Sequence, residues 1–272
     1  MVLSSVTVSL VPEASAGPFV FHGDLPRACR QAAALGFDGI EIFAPSGQHA
    51  DRAELAALLA RHSLRLAAVG TGAGMLLHGH SLCDPRTNAR QQACEFVEGI
   101  IDFGARFGAP AIIGSMQGQA GTGQTREAAL ARLAESLDHL AGCAGRAGQT
   151  LLLEPLNRYE TDLVRTLADG TALLREVGAG NLRLLADLFH MNIEEADPRG
   201  SLQRAAGQIG HVHFVDSNRR AAGFGHMRYG PLAQALAGAG FLGFASAEAF
   251  PLPSPEAAAE MTIRSFRKHF RR

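Results

Sequence analysis

Short strand-like runs and longer helical segments alternate eight times along the 272-residue chain. The strand-like runs occupy residues 6–10, 39–43, 65–69, 111–113, 151–154, 182–187, 211–215 and 244–247. Segments with helical spacing of apolar residues cover 25–35, 52–62, 87–107, 126–147, 168–177, 200–206, 231–239 and 255–270. Eight β-then-α units in a chain of this length predict one domain over residues 1–272 with the α/β fold of a (β/α)₈ TIM barrel.

Each of the last four strand-like runs carries a metal-ligand residue type at or near its end: Glu154, Asp187, His213 and Glu248. A closed barrel would bring these strand ends together at one mouth, whereas an open doubly wound sheet would spread them along an edge. Three carboxylates and one imidazole form a mostly oxygen site. We therefore expect one divalent metal ion. Mn²⁺ is the favoured ion, and Mg²⁺, Co²⁺ and Zn²⁺ are the alternatives.

Other polar residues fall near the same predicted mouth. His190 follows the sixth strand by three residues, and Arg219 lies in the loop after the seventh, where it can contact an anion or a hydroxyl group. His211 and His213 have strand spacing and point to one side, so we interpret His211 as a buried, hydrogen-bonded residue one layer away. Glu41 ends the second strand and is expected inside the barrel.

His78 and His80 form a His-Gly-His sequence in a predicted loop after the third strand. Solvent exposure or pocket lining is the favoured interpretation, and a second metal site is the alternative.

The composition argues against several classes of function. The formal net charge is −1, and the one long basic run is the C-terminal tail, so no nucleic acid partner is expected. The four cysteines form no CxxC pair, and neither a signal peptide nor a membrane-spanning stretch is recognisable. We expect a cytoplasmic enzyme that acts on small molecules and has no membrane partner. The sequence leaves open whether it forms a homo-oligomer.

Three sequence motifs resemble a known family. They are Glu-Pro-Leu-Asn-Arg-Tyr-Glu at 154–160, Asp-Leu-Phe-His-Met-Asn-Ile-Glu-Glu at 187–195, and His-Val-His-Phe-Val-Asp-Ser-Asn-Arg-Arg at 211–220. With Glu248 they resemble the xylose isomerase-like TIM barrel family of sugar isomerases and epimerases, and most of all the ketose 3-epimerases of the D-tagatose 3-epimerase type. Many of those epimerases pack a Trp against the sugar, and this chain contains no Trp.

The resemblance implies roles for individual residues. Glu154, Asp187, His213 and Glu248 would bind the metal ion, and Glu154 and Glu248 would also be the catalytic proton-transfer pair. The residues that would hold the hydroxyl groups of a sugar or keto-acid substrate are His190, Arg219 and Glu160.

Such a site suits proton abstraction next to a carbonyl through a metal-stabilised enediolate. Two glutamates on opposite faces of the carbon would give ketose 3-epimerisation, and one glutamate on one face would give aldose–ketose or hydroxypyruvate-type isomerisation. A keto-polyol dehydratase of the same superfamily is the next alternative. Two further alternatives are less favoured. An endonuclease IV-like DNA repair enzyme needs more metal ligands than this chain offers. A non-catalytic barrel would be expected to have lost Glu154 or Glu248, and both are present.

Overall fold

Eight parallel strands close into a barrel in the computed structural model, which describes residues 1–49 and 51–270. In chain order the strands are β1 Leu3–Ser9, β2 Phe21–His22, β3 Gly39–Phe43, β4 Arg65–Gly70, β5 Ala111–Ile113, β6 Leu151–Leu153, β7 Leu182–Asp187, β8 Ile209–His213 and β9 Phe244–Ala247. Neighbours pair from β1 through β3 to β9, and β9 pairs with β1 to close the sheet. The two-residue β2 pairs with the end of β1. The predicted TIM barrel is confirmed.

Helices alternate with the strands, and the longer ones cover the outside of this barrel. The helices are α1 Leu25–Leu35, α2 Arg52–His62, α3 Ala73–His78, α4 Thr87–Ala105, α5 Arg126–Arg146, α6 Leu167–Val177, α7 Leu188–Glu194, α8 Pro198–Arg204, α9 Tyr229–Gly238 and α10 Pro255–Phe270. Within the described part of the chain, none is long and apolar enough to cross a membrane.

Local signals in the sequence explain where several of these helices begin and end. Asp24 accepts a hydrogen bond from the backbone N–H of Arg27 at the start of α1, and Gly36 ends that helix with φ 78°. Thr166 and Asp169 form a reciprocal capping box at the start of α6. The short helices α3 and α7 were not predicted, and the His78 assigned to a loop is the last residue of α3.

Side chains alternate between the inside and the outside of the barrel along each strand. Ala68, Ile112, Leu152 and Leu185 form a small apolar cluster of their own on four neighbouring strands. We place this cluster inside the barrel, where it fills the space below the mouth.

The inward positions two residues further along the strands carry the predicted metal ligands. The inward pairs are Leu152 and Glu154, Leu185 and Asp187, His211 and His213, and Ser246 and Glu248. Because strand side chains repeat every two residues, the same alternation that buries the apolar cluster directs these polar groups into the mouth.

The register between β7 and β8 shifts at Gly210. Leu185 pairs with His211 and Asp187 with His213, so Gly210 has no partner on β7. A Cβ atom at Gly210 would lie within 3.0 Å of two neighbouring side chains, which explains why glycine occupies the bulge. Such bulges re-aim the side chains that follow, and this one sets His213 beside Asp187.

Candidate metal centre

The four predicted metal ligands meet at the carboxyl-terminal mouth of the barrel. One ligand atom from each of Glu154, Asp187, His213 and Glu248 lies within 4.8 Å of the other three. His213 is central to the group, because its Nδ1 lies 3.2 Å from Glu154 Oε1, 3.1 Å from Asp187 Oδ2 and 3.5 Å from Glu248 Oε2. All but Glu248 are buried.

Glu41 orients the imidazole of His213 from the layer below. Its Oε1 lies 3.1 Å from His213 Nε2, and its Oε2 lies 2.7 Å from Nε2 of the buried His211. A carboxylate that accepts the Nε2–H directs the Nδ1 lone pair of His213 toward the ligand carboxylates, as a metal-binding histidine requires. The expected positions of Glu41 and His211 are confirmed.

The two histidines also keep Glu41 ionised. Burial alone would raise its pKa, but the charges on His213 and His211 and the hydrogen bonds from both rings lower it.

The two carboxylate oxygens of Asp187 contact different groups. Its Oδ1 accepts hydrogen bonds from the backbone N–H groups of Phe189 at 2.7 Å and His190 at 3.1 Å, which caps α7. Its Oδ2 faces His213. Burial opposes ionisation, but the neighbouring His190 and His213 outweigh it and lower the pKa of Asp187. Asp187 is thus held as a carboxylate with one oxygen directed into the cluster.

Glu154 and His213 shift each other's pKa. Burial, together with the charges of Glu248 and Asp187, raises the pKa of Glu154 to about 8, although the charge of His213 and its hydrogen bond lower it. Burial opposes a charge on His213, but the surrounding glutamates raise its pKa well above the usual value. The surrounding glutamates therefore favour the charged form of His213.

Two buried polar atoms at the cluster have no hydrogen-bond partner: Glu154 Oε1 and His190 Nε2. They lie 4.0 Å apart. Buried polar atoms almost always have a partner, so the unpaired Glu154 Oε1 beside other carboxylates fits a site that takes a cation. Mostly oxygen donors with one imidazole suit Mn²⁺ or Mg²⁺ and also accept Co²⁺ or Zn²⁺. The residues present fit the expected metal ion.

Arg219 closes one side of the mouth. Its NH2 donates to Glu248 Oε2 at 2.8 Å, its NH1 donates to Glu160 Oε1 at 3.1 Å, and its guanidinium carbon lies 5.0 Å from the Phe189 ring centroid. The backbone of Arg219 has φ 57°, which is uncommon for a residue other than glycine. With 14% of its side chain exposed, Arg219 is a built part of the site rather than a solvated loop residue.

A cavity of about 340 Å³ lies above the cluster. Its polar wall includes Glu154, Glu160, His213, Arg219 and Glu248. Its apolar wall includes Phe19, Phe43, Leu76 and Leu156, and the rings of Phe19 and Phe43 stack with centroids 4.6 Å apart. This apolar wall was missed in the sequence, because its members come from four separate segments that only the closed barrel brings together. The size and the mixed lining suit a small polar molecule.

His190 lies behind Glu154 and is not part of the cavity wall. Its Nδ1 lies 3.2 Å from the backbone N–H of Asn157 and 2.8 Å from that residue's Nδ2. These donors leave the hydrogen on Nε2, which points toward Glu154 and Asp187 at 4.0 and 3.9 Å. Direct contact of His190 with a substrate stays a prediction.

His78 and His80 lie apart from the cluster. Their rings are 5.2 Å from each other and each is 6.0 Å from the ring of Phe96. Neither belongs to a group of three or more metal-ligand side chains in the described part of the chain, and neither lines the cavity.

Residues 29–269 match the model of a protein family described as xylose isomerase-like TIM barrel. An L-ribulose 3-epimerase of Mesorhizobium japonicum is 42% identical over 45% of this chain and 39% of its own length. The chain thus spans about two-fifths of this relative. A probable ketose 3-epimerase of Synechocystis is 28% identical over 88% of this chain and 83% of its own length. A putative hydroxypyruvate isomerase of Homo sapiens is 29% identical over 84% of both chains.

Solved structures resemble the whole barrel. A structure of an L-ribulose 3-epimerase superposes with a TM-score of 0.83 at 26% identity and covers 98% of this chain and 94% of its own.

Proposed function

Because the chain belongs to the xylose isomerase-like TIM barrel family, we propose that it is a metal-dependent epimerase that inverts carbon 3 of a ketose. The observation that carries the proposal is the pair of glutamates at the mouth. Glu154 follows β6 and Glu248 follows β9, with two strands between them, and both carboxylates reach within 3.5 Å of His213 Nδ1. The two groups thus approach the centre of the mouth from different walls of the barrel.

The proposed metal ligands are Glu154, Asp187, His213 and Glu248, and the proposed ion is Mn²⁺. Mg²⁺, Co²⁺ and Zn²⁺ are the alternatives, because oxygen-rich sites select by geometry and availability. When bound, the ion would polarise the substrate carbonyl and offset the negative charge that develops on its oxygen.

Glu154 and Glu248 would transfer the protons. Burial raises the pKa of Glu154 to about 8, whereas Glu248 Oε2 accepts a hydrogen bond from Arg219. Two carboxylates in such different surroundings can serve as an acid and a base in the same reaction. One would remove the proton from carbon 3 and the other would deliver a proton on the opposite face, which inverts that carbon.

The cavity supports a small sugar as the substrate. Arg219 and Glu160 would orient hydroxyl groups, and the buried Nε of Arg219 has no partner of its own. His190 would act from behind Glu154. The stacked Phe19 and Phe43 would supply the apolar face that many ketose 3-epimerases build with a Trp.

Isomerisation of an aldose and ketose, or of a hydroxypyruvate-type keto acid, is the second candidate. It is favoured by the similarity to the putative human hydroxypyruvate isomerase along most of both chains. This reaction needs one glutamate for proton transfer, and the other would serve the metal ion.

We also propose a cytoplasmic location. All four cysteines are free, which suits a reducing compartment.

Metal analysis combined with a sugar panel tests the function. Protein loaded with Mn²⁺ is expected to convert a ketose into its carbon-3 epimer, and Asp187→Ala should lose both the ion and the activity. Asp102→Ala, an exposed substitution on α4, is the matched control and should keep both. Products that are aldoses would favour the isomerase, and loss of water from the substrate would favour the dehydratase. Unchanged metal content in Asp187→Ala would defeat the ligand assignment.

A further inference from the structure

A second group of metal-ligand side chains lies on the outer helices. Glu98 on α4 and His139 and Cys143 on α5 place one ligand atom each within 4.8 Å of the other two. His139 and Cys143 are four residues apart, so they lie on the same face of α5, one turn apart. We call these three residues the α4–α5 cluster.

Two of the three distances within the α4–α5 cluster are close to those around a tetrahedral ion, and the third is shorter. Glu98 Oε1 lies 2.5 Å from His139 Nε2, and Cys143 Sγ lies 3.8 Å from each of these two atoms. Ligand atoms about 2.0 to 2.3 Å from a tetrahedral Zn²⁺ stand roughly 3.3 to 3.6 Å apart. The sulfur therefore needs a shift of a few tenths of an ångström, while the oxygen and nitrogen need to separate.

The cluster has the freedom to make these adjustments. The side chain of His139 is 54% exposed and that of Glu98 is 35% exposed. Arg146 NH2 lies 3.1 Å from Cys143 Sγ, but Arg146 is exposed and can turn into solvent when an ion takes its place. An open side also leaves room for a water molecule as the fourth ligand.

The donor types distinguish this cluster from the barrel mouth. Glu98 and His139 form an ion pair, and the thiol of Cys143 lies 3.8 Å from the paired atom of each. Thiolate and imidazole ligands favour Zn²⁺, whereas carboxylates favour the harder Mn²⁺ and Mg²⁺. The mouth offers no sulfur among its four candidate ligands.

We propose that Glu98, His139 and Cys143 bind a Zn²⁺ ion that links α4 to α5 on the outside of the barrel. This site is separate from the epimerase site and adds a second ion of a different class. A metal bound by the folded protein and not by the unfolded chain raises stability, so the link would hold the two helices together.

Titration with Co²⁺ in place of Zn²⁺ tests the proposal. A cobalt–thiolate bond produces strong near-ultraviolet charge-transfer absorption, which oxygen and nitrogen ligands do not. The native protein should develop this band when it binds one equivalent of Co²⁺ through a thiolate. Cys143→Ser should lose the band. Cys94→Ser is the matched control, since Cys94 lies one turn before Glu98 on α4 but outside the cluster, and it should keep the band.

The band is also expected in Asp187→Ala, in which the barrel-mouth ligands are incomplete, so failure of the epimerase proposal leaves this result unchanged. In the same background Zn²⁺ should raise Tm, and adding Cys143→Ser should abolish that shift. A native protein without the band, or a Cys143→Ser variant with the full band, would overturn the site. Loss of the band in Asp187→Ala would contradict the independence of the two sites.

Discussion

At the scale of single residues, the hydrogen bond between Glu41 and His213 decides how the mouth can bind a metal ion. Glu41 lies on β3, across the barrel from the four ligand candidates, and yet it selects the nitrogen that His213 directs at them. Histidine tautomers are set by the partner of the other nitrogen. Residue types at strand ends predicted the candidate ligands, but the sequence alone does not indicate which nitrogen of His213 faces the other candidates, because that depends on a pairing across the barrel.

Replacing Glu41 with Gln should weaken metal binding at the mouth. Loss of such an outer carboxylate typically lowers metal affinity about 10–100-fold, because the imidazole becomes less basic and less well oriented. Calorimetric titration with Mn²⁺ measures the effect, and Glu176→Gln on the exposed face of α6 is the control. Equal affinities of Glu41→Gln and the native protein would show that Glu41 does not support the ligand.

Metal affinity at the mouth should rise with pH. Glu154, with a pKa of about 8, and His213, with a raised pKa, both hold protons at neutral pH in the metal-free protein. Both protons must leave before Glu154 and Nδ1 bind an ion, so affinity increases up to about tenfold per pH unit for each proton released.

Calorimetry at pH 6 and pH 8, in buffers with different ionisation enthalpies, counts the released protons directly. A Mn²⁺ affinity that stays constant between these two pH values is incompatible with the protonation described here.

At the scale of elements, alternation along the sequence predicted the barrel and most helix bounds, since strand and helix periodicities are local properties. The bulge at Gly210 was not predictable, because it depends on the pairing of β8 with β7. The helix α7 was missed for a related reason. Its N-cap is Asp187, whose carboxylate both caps the helix and faces the cluster, so the residue type alone does not separate a cap from a metal ligand.

The turn after β5 leaves space for the carboxylate of Glu154. A Cβ atom at Gly114 would lie 2.5 Å from Glu154 Oε2, whereas one at Gly123 would meet nothing within 4 Å. Gly114→Ala should therefore displace Glu154 and lower turnover by at least about tenfold, because small misplacements of catalytic groups are costly. Steady-state kinetics measure this effect, with Gly123→Ala as the control. Native turnover in Gly114→Ala would mean either that Glu154 can shift without loss of activity or that it has no role in the reaction.

At the scale of the whole molecule, barrel closure brings together residues that lie far apart in the sequence. Glu154 and Glu248 are separated by more than ninety positions, and β6 and β9 bring both to one mouth. Catalytic groups at the carboxyl ends of barrel strands are typical of TIM-barrel enzymes. The cavity walls follow from the same closure.

Solvent deuterium reports whether the two glutamates work as a pair. In D₂O, the Mn²⁺-loaded protein should place one deuterium at carbon 3 of a ketose as that centre inverts. Glu154→Gln and Glu248→Gln should each lower epimer formation by at least about 10²-fold, because each removes a positioned acid–base group. One of them is expected to keep exchanging the carbon-3 hydrogen without inversion. Epimer formation at the native rate in both variants, with the metal ion still bound, would contradict the two-glutamate mechanism.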